Sequence, residues 1–257
     1  DHGIPRFLLC NSGSDALELA ALLSNIKAGD EFICPSFTFS STANAFMLRG
    51  ATPVFAEVRA SDMCLDPDDV AKRITPKTKV IVTVDYGGVP CDYDAFHQLC
   101  DEHDLILVAD AAQSVGSTYY GKPSGTLAPL SCFSFHETKN YIMGEGGGLA
   151  MGSQELLERA EILREKGTDR SRMIRGQVDK YTWRAVGSSF LPSDLLAAIL
   201  AAQLERFDEI MEKRLHIWNR YHEDLAELED AGLLQRAHHP DYAKHNAHLY
   251  FILLNSK

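Results

Sequence analysis

The stretch Leu105-Ile106-Leu107-Val108-Ala109-Asp110-Ala111-Ala112-Gln113 places a carboxylate directly after a run of apolar residues. Such a run is typical of a β-strand that is buried on both faces. Open α/β sheets bind ligands beyond the carboxyl ends of their strands, which is where Asp110 falls. A buried carboxylate needs a partner, and a cationic heterocycle nitrogen suits it. The alternative is that Asp110 only caps the following turn.

Further apolar runs alternate with helical patterns along the first 153 residues. Residues 41–49 and 93–103 have the helical pattern, and the apolar runs cover residues 32–34, 51–55, 80–84, 131–135 and 148–151. Continuous apolar strands separated by helices predict an α/β fold. We expect a mostly parallel central sheet with helices on both faces.

Residues 154–257 have a different sequence pattern. Residues 154–166 predict a helix, residues 167–186 look irregular and rich in arginine, and residues 193–228 predict one long helix because they contain no Pro or Gly. Residues 249–254 are typical of a strand without a partner. We expect a large domain over residues 1–190, with its N-terminal segment missing. Residues 191–257 then form a linking helix and the start of a truncated small C-terminal lobe.

Composition narrows the classes of function. The 257 residues carry a net charge of −11, and this field disfavours general binding to nucleic acid or to an anionic membrane. The six cysteines include no C-x-x-C pair, and the spacing of the histidines near the C-terminus matches no strong metal motif, so we expect no metal. No apolar run approaches the ~20 residues of a membrane span. A reducing cytoplasm is the expected location.

Two further motifs suggest chemistry. Asn11-Ser12-Gly13-Ser14-Asp15-Ala16-Leu17 is a polar turn that opens a helix, which predicts an anion site or an ordinary N-cap. Ser134-Phe135-His136-Glu137-Thr138-Lys139-Asn140 places a lysine between an apolar strand and a glycine-rich turn. A partly desolvated lysine can lose its proton and act as a Schiff-base nucleophile. The alternative is a solvated loop lysine.

These three motifs, in this order, resemble the fold-type I pyridoxal-phosphate enzymes. More narrowly, the chain resembles the DegT/DnrJ/StrS sugar aminotransferase family over nearly its whole length. The similarity includes Pro35-Ser36-Phe37-Thr38-Phe39, Asp110-Ala111-Ala112-Gln113 and His245-Asn246-Ala247-His248-Leu249-Tyr250. The runs 179–183 and 187–194 are similar to the branch that makes dTDP-4-amino-4,6-dideoxygalactose.

The resemblance implies a role for individual residues. Lys139 would bind pyridoxal 5'-phosphate covalently and shuttle the proton, and Asp110 would pair with the pyridine nitrogen. Gln113 would contact the side of the ring that carries the phenolic oxygen, and Phe39 would stack on the ring face. The phosphate would be held by Ser14, Asp15 and Ser134. Some relatives supply an asparagine from the neighbouring subunit, and here the corresponding place holds Leu191, with Ser188 and Ser189 nearby.

The resemblance also implies a reaction. Glutamate would donate an amino group that passes to C4 of a dTDP-linked 4-keto-6-deoxy sugar, within a homodimer that shares its active sites. Such amino sugars enter lipopolysaccharide or enterobacterial common antigen. The basic residues 170–184 would neutralise the diphosphate of the substrate, unless they form an ordinary solvated loop. Two alternatives remain open: a sugar dehydratase of the same family, whose members replace the lysine by histidine, and a non-catalytic fragment that binds the cofactor.

Overall fold

The computed structural model describes residues 3–255, and its centre is a seven-stranded sheet. The strands of the chain are β1 Phe7–Cys10, β2 Glu31–Pro35, β3 Thr52–Ala56, β4 Thr78–Val84, β5 Ile106–Asp110, β6 Thr118–Tyr119, β7 Lys122–Pro123, β8 Leu130–Ser134, β9 Gly147–Met151, β10 Leu234–Arg236, β11 Ala243–Lys244 and β12 Ile252–Leu254. The order of strands in the large sheet is β1-β9-β8-β5-β4-β2-β3.

The sheet is mostly parallel, as predicted. β3, β2, β4, β5 and β8 pair in parallel, whereas β9 lies antiparallel to both β8 and β1. β1 therefore runs in the same direction as the parallel strands, and its carboxyl end lies at the same edge of the sheet. The predicted strand at residues 80–84 is the buried core of β4, in agreement with its β-branched sequence.

Helices cover both faces of this sheet. The helices of the described residues are α1 Gly13–Leu23, α2 Ser41–Met47, α3 Pro67–Arg73, α4 Tyr93–His103, α5 Gln154–Arg164, α6 Arg170–Ile174, α7 Asp194–Glu205, α8 Phe207–Asp224 and α9 Ala226–Asp230. Alternate residues of one strand enter different cores: Phe32 and Cys34 pack with α1 and α2, and Ile33 packs with α4. This alternation is what a strand buried on both faces requires. The predicted α/β architecture is confirmed.

The predicted single helix over residues 193–228 is wrong in its continuity. It is broken at Arg206 and Leu225, whose backbone angles are not helical, and it forms α7, α8 and α9. The break at Arg206 coincides with a tertiary contact: the Phe207 ring stacks on Tyr141 at 4.6 Å, and the Tyr141 hydroxyl donates to the Phe207 carbonyl. Packing therefore overrides the local helical pattern here.

Two other expectations need correction or completion. The C-terminal strand has a partner, because β12 pairs antiparallel with β10. The segment after α5 is not wholly irregular, since it contains the short helix α6. All six cysteines are buried and unpaired, as their apolar neighbours predict. Within residues 3–255, no helix is long and apolar enough to cross a bilayer. The domain division at residue 190 stays a prediction.

Acidification should destabilise the packing around Trp218. The rings of His239 and His245 stack at 4.0 Å, and His245 lies 4.5 Å from Trp218. Burial lowers the pKa of His239 to about 4 and that of His245 to about 3, so the folded state keeps both rings neutral while the unfolded chain protonates them. Their stabilising contribution is therefore complete above the unfolded pKa of about 6.5 and is lost progressively as the pH falls towards 3.

For each of these two rings we expect the free energy of unfolding to be lower at pH 5 than at pH 7.5 by about 1 kcal/mol, a figure reduced because the rings are partly exposed. Urea unfolding at pH 7.5, 6 and 5 measures this loss. A His245→Phe variant should show a smaller loss than the parent, whereas the exposed His103→Phe should match it. Equal pH dependence in the parent and His245→Phe would contradict the assignment.

Candidate active site

The predicted site residues lie beyond one edge of the large sheet. Asp110 ends β5, Ser134 ends β8, and α1 begins three residues after β1 ends. Because β1, β5 and β8 run in the same direction, their carboxyl ends meet there. This edge is where open α/β sheets bind ligands.

Asp110 is held rigidly in the interior. Its side chain is 5% exposed, Oδ2 accepts a 2.7 Å hydrogen bond from the Thr42 hydroxyl, and Oδ1 accepts from the Ala112 amide. Burial raises the pKa of Asp110, while the Thr42 bond, the Ala112 amide and the charge of Lys139 each oppose that rise. The carboxylate is thus oriented by neutral donors, and the positive charge of Lys139 acts on it from a distance.

Lys139 lies in the loop between β8 and β9, and its backbone amide donates to the His136 carbonyl in a tight turn. Burial lowers the pKa of the Lys139 amine, and the nearby Asp110 carboxylate partly offsets this effect. Asp110 and Lys139, which are 29 positions apart in the sequence, therefore lie close enough for their charges to interact. Partial burial that lowers the pKa of an amine favours the free-base form that nucleophilic attack requires.

The start of α1 has the features of an anion site. Ser12 is the N-cap, and its hydroxyl accepts a hydrogen bond from the Asp15 amide. The first-turn amides of Gly13 and Ser14 have no carbonyl partners inside the helix, because the chain before them is not helical. The Ser14 hydroxyl lies 2.6 Å from that of Ser41. Ser134 packs against Gly13, where a Cβ atom would lie 2.8 Å from the Ser134 Cβ. Backbone amides, the helix dipole and hydroxyls therefore converge.

Replacing Gly13 with alanine should damage this anion site. The added Cβ would contact the Cβ and Cα of Ser134, which β8 holds in place, so the start of α1 has to move. We expect a loss of about 1–3 kcal/mol in unfolding free energy, with weaker phosphate binding. Thermal unfolding and isothermal titration with inorganic phosphate measure the two effects. Gly152→Ala is the matched control, because its Cβ makes only an ordinary contact, and equal behaviour of both variants would refute the prediction.

Gln113 and Phe39 lie on the loops that surround this site. The Gln113 Oε1 accepts a 2.7 Å hydrogen bond from the Gly87 amide, in a turn where Gly87 has a φ of +65°. Phe39 follows β2, and 74% of its surface is exposed. The cofactor contacts expected for both side chains stay predictions.

Sequence reasoning missed three residues at this edge: Thr42, Ser41 and Tyr86. Thr42 orients Asp110 and also bonds the Thr38 hydroxyl at 2.8 Å, and Tyr86 lies against the Phe37 ring at 4.9 Å. The i, i+4 spacing of Thr38 and Thr42 at the beginning of a helix was the available signal. Hydroxyl residues are too common in such positions for that signal to single out Thr42.

The arginine-rich segment is not a free basic patch. Each guanidinium there is paired with a carboxylate of the same chain: Arg170 with Glu165, Arg172 with Glu158, Arg175 with Glu161 and Arg184 with Asp169. These ion pairs weaken the expectation that the segment neutralises a diphosphate. Among residues 3–255 there is also no group of three or more His, Cys, Asp or Glu side chains arranged to hold a metal ion.

Two curated proteins are similar in sequence to most of this chain. The chain is 36% identical to GDP-perosamine synthase of Caulobacter vibrioides over 226 residues, which cover 88% of this chain and 59% of that protein. It is 37% identical to dTDP-3-amino-3,4,6-trideoxy-alpha-D-glucose transaminase of Streptomyces venezuelae over 224 residues, with coverage of 87% and 57%.

Solved structures agree at the level of the fold. The PLP form of Spr1654 from Streptococcus pneumoniae superposes with a TM-score of 0.87 at 28% identity, and the match covers 98% of this chain and 67% of that one. The curated relatives are longer than this chain, which spans 57% to 66% of their length. The model of the DegT/DnrJ/EryC1/StrS aminotransferase family matches residues 2–257. The chain belongs to the DegT/DnrJ/EryC1/StrS aminotransferase family.

Proposed function

We propose that this protein is a pyridoxal-phosphate-dependent aminotransferase that moves an amino group from glutamate to a nucleotide-linked keto sugar. The observation that supports this most is that the charges of a partly buried Lys139 and a buried Asp110 act on each other at the sheet edge where α1 begins. Lysine, carboxylate and anion site are the three groups that this cofactor needs at its aldehyde, its ring nitrogen and its phosphate. Membership of the family supports the same reaction class.

The residues of the site fit the cofactor. Ser14 lies at the amino end of α1 and Ser134 packs against it, and both would bind the phosphate through hydroxyl and amide groups. The Asp15 amide donates to the Ser12 hydroxyl, so the phosphate contact expected for Asp15 stays a prediction. Gly13 has no room for a side chain there, which keeps the backbone close to the ligand. Asp110 would receive the ring nitrogen, Gln113 would approach the phenolic oxygen, and the exposed ring of Phe39 is available to stack.

The bound cofactor would supply an electron sink for the substrate carbon. Lys139 would bind its aldehyde through Nζ and then move a proton at the same atom, which its lowered pKa favours. Asp110 would hold the ring nitrogen protonated, and the Thr42 and Ala112 donors would keep that carboxylate ionised and oriented. The chain thus contributes binding, orientation and one mobile proton.

For the substrate we propose dTDP-4-keto-6-deoxyglucose, aminated at C4. The support is that the runs 179–183 and 187–194 resemble the family branch that makes dTDP-4-amino-4,6-dideoxygalactose. The names of two relatives indicate GDP-linked and dTDP-linked sugars respectively, so both nucleotides belong in the test. Because the nearby arginines are paired internally, we assign them no contact with the diphosphate. Roles in lipopolysaccharide or enterobacterial common antigen synthesis, and a cytoplasmic location, stay predictions.

We also propose a homodimer with shared active sites. Phe37 and Phe39 are exposed at the edge of the site, 49% and 74% respectively, and a neighbouring subunit would cover them. Analytical ultracentrifugation tests this proposal, with a dimer expected and a monomer at all concentrations as the contrary result.

The deciding assay supplies the purified chain with pyridoxal phosphate, glutamate and a panel of dTDP-, GDP- and UDP-linked keto sugars. We expect one amino sugar, identified by mass and NMR, with the amine at C4. Deoxygenation without amine transfer would favour the dehydratase, although the presence of Lys139 argues against it. A second candidate is a protein that binds the cofactor without catalysing the transfer. That candidate predicts cofactor binding without any conversion by glutamate.

A further inference from the structure

The C-terminal segment His245-Asn246-Ala247-His248 contacts both the loop that follows β4 and the loop that follows β5. Asn246 is fully buried, and its Nδ2 donates to the carbonyls of Gln113 at 2.7 Å and Val115 at 2.9 Å. Its Oδ1 lies so close to Gly88 that a Cβ atom there would be 1.8 Å away. The segment is therefore fixed against the loops that follow β4 and β5.

The same segment reaches the residue next to Lys139. The Asn140 Nδ2 donates to the Asn246 carbonyl at 2.9 Å, and the Asn140 Oδ1 lies 2.8 Å from the His248 Nδ1. Since Asn140 uses its amide nitrogen on Asn246, its Oδ1 is the acceptor, and the His248 Nδ1 must carry the hydrogen. The neutral ring of His248 is then protonated on Nδ1, and its Nε2 has a free lone pair.

The charges around His248 favour this neutral form. Burial, together with the positive charges of Lys139 from the loop after β8 and Arg214 from α8, lowers the pKa of His248 to about 3. The ring therefore adds no charge beside the lysine at neutral pH. A fixed, uncharged donor at this place can orient the loop without competing with Asp110 for the amine.

We propose that His248 is a positioning residue for Lys139: through its hydrogen bond to Asn140 it holds the loop that carries the amine against Asp110. The proposal rests on the proposed function in one respect, that Lys139 is the reactive amine. Without this bond, the Asn140 Oδ1 has no donor from His248, and the loop that carries Lys139 is held less firmly. The Lys139 amine then gains access to water, and the burial that lowers its pKa is relaxed.

The test measures the pH dependence of Lys139 acylation by acetic anhydride on the cofactor-free chain, with peptide mass spectrometry as the readout. His248→Leu keeps the apolar bulk and removes the donor. We expect its labelling midpoint to rise by about one pH unit, which makes labelling at pH 8 about tenfold slower. His248→Asn places an amide N–H where Nδ1 lies, so its labelling should stay within about twofold of the parent. His103→Leu, on the exposed end of α4, is the control.

A parent-like profile for His248→Leu would overturn the proposal, and so would a His248→Asn variant that fails to restore the parent profile. If His248→Leu does not fold, His248→Gln replaces it, because its amide lies at the Nε2 position and cannot reach Asn140 in the same way. His248→Gln should then shift as His248→Leu would, and a parent-like profile would again overturn the proposal. Because the assay contains no cofactor, failure of the parent chain to bind pyridoxal phosphate counts against the proposed function alone.

Discussion

Lys139→Ala should abolish amine transfer, with kcat lower by roughly 10³-fold or more. The variant loses both the nucleophile that would bind the cofactor aldehyde and the group that would move the proton. Exogenous amines such as methylamine should restore a small part of the rate, because they replace the missing base. The assay follows the conversion of glutamate and the keto sugar that the parent chain accepts.

The matched control is Lys122→Ala, which removes an exposed lysine on β7 and should leave kcat unchanged. Thermal unfolding must show both variants folded. Parent-like turnover in Lys139→Ala would mean that another group binds the cofactor, and it would remove the main support for the proposed reaction.

Asp110→Asn should lower kcat by about 10²- to 10³-fold while the fold survives. The neutral amide cannot hold the pyridine nitrogen protonated, so the ring accepts electrons less well. The folded structure tolerates the change because the Thr42 hydroxyl can rotate to accept from the new amide. Burial holds the pKa of Asp110 above its ordinary value, so the charged carboxylate costs stability at neutral pH, and the amide relieves that cost.

We therefore expect an unchanged or higher melting temperature together with the loss of rate. Asp101→Asn, on the exposed surface of α4, is the control for the removal of one negative charge. Thr42→Val should give a smaller loss, since it removes one donor to Asp110 but leaves the charge. A parent-like kcat in Asp110→Asn, or a collapse of the fold, would contradict this account.

The sequence predicts strands β2, β4, β5, β8 and β9 and helix α4 well. Burial on both faces of a strand leaves a continuous apolar run, and burial of one helical stripe leaves a periodic pattern. Residues 93–103 match α4 at both ends, where Asp92 caps the helix and Asp104 adopts a left-handed conformation. Asp110 and Lys139 could be found for a related reason. Each follows an apolar strand, and parallel strands bring their carboxyl ends together without any knowledge of side-chain contacts.

Contacts between segments that are distant in the sequence could not be predicted, because they leave no local pattern. β1 is only four residues long, and its partner β9 lies about 140 positions away. The break at Arg206 depends on the stacking of Phe207 on Tyr141, and the partner of β12 is set by pairing with β10. Thr42 and the Asn140–His248 contact depend on the same kind of tertiary placement.

Borohydride reduction of the chain mixed with pyridoxal phosphate, followed by peptide mass mapping, tests most directly whether Lys139 is the residue that binds the cofactor. We predict one stable adduct, on the peptide that contains Lys139, formed with equal yield in Lys122→Ala and absent in Lys139→Ala. An adduct on another lysine, or spread over many lysines in proportion to their exposure, would contradict the assignment of this edge of the sheet as the active site.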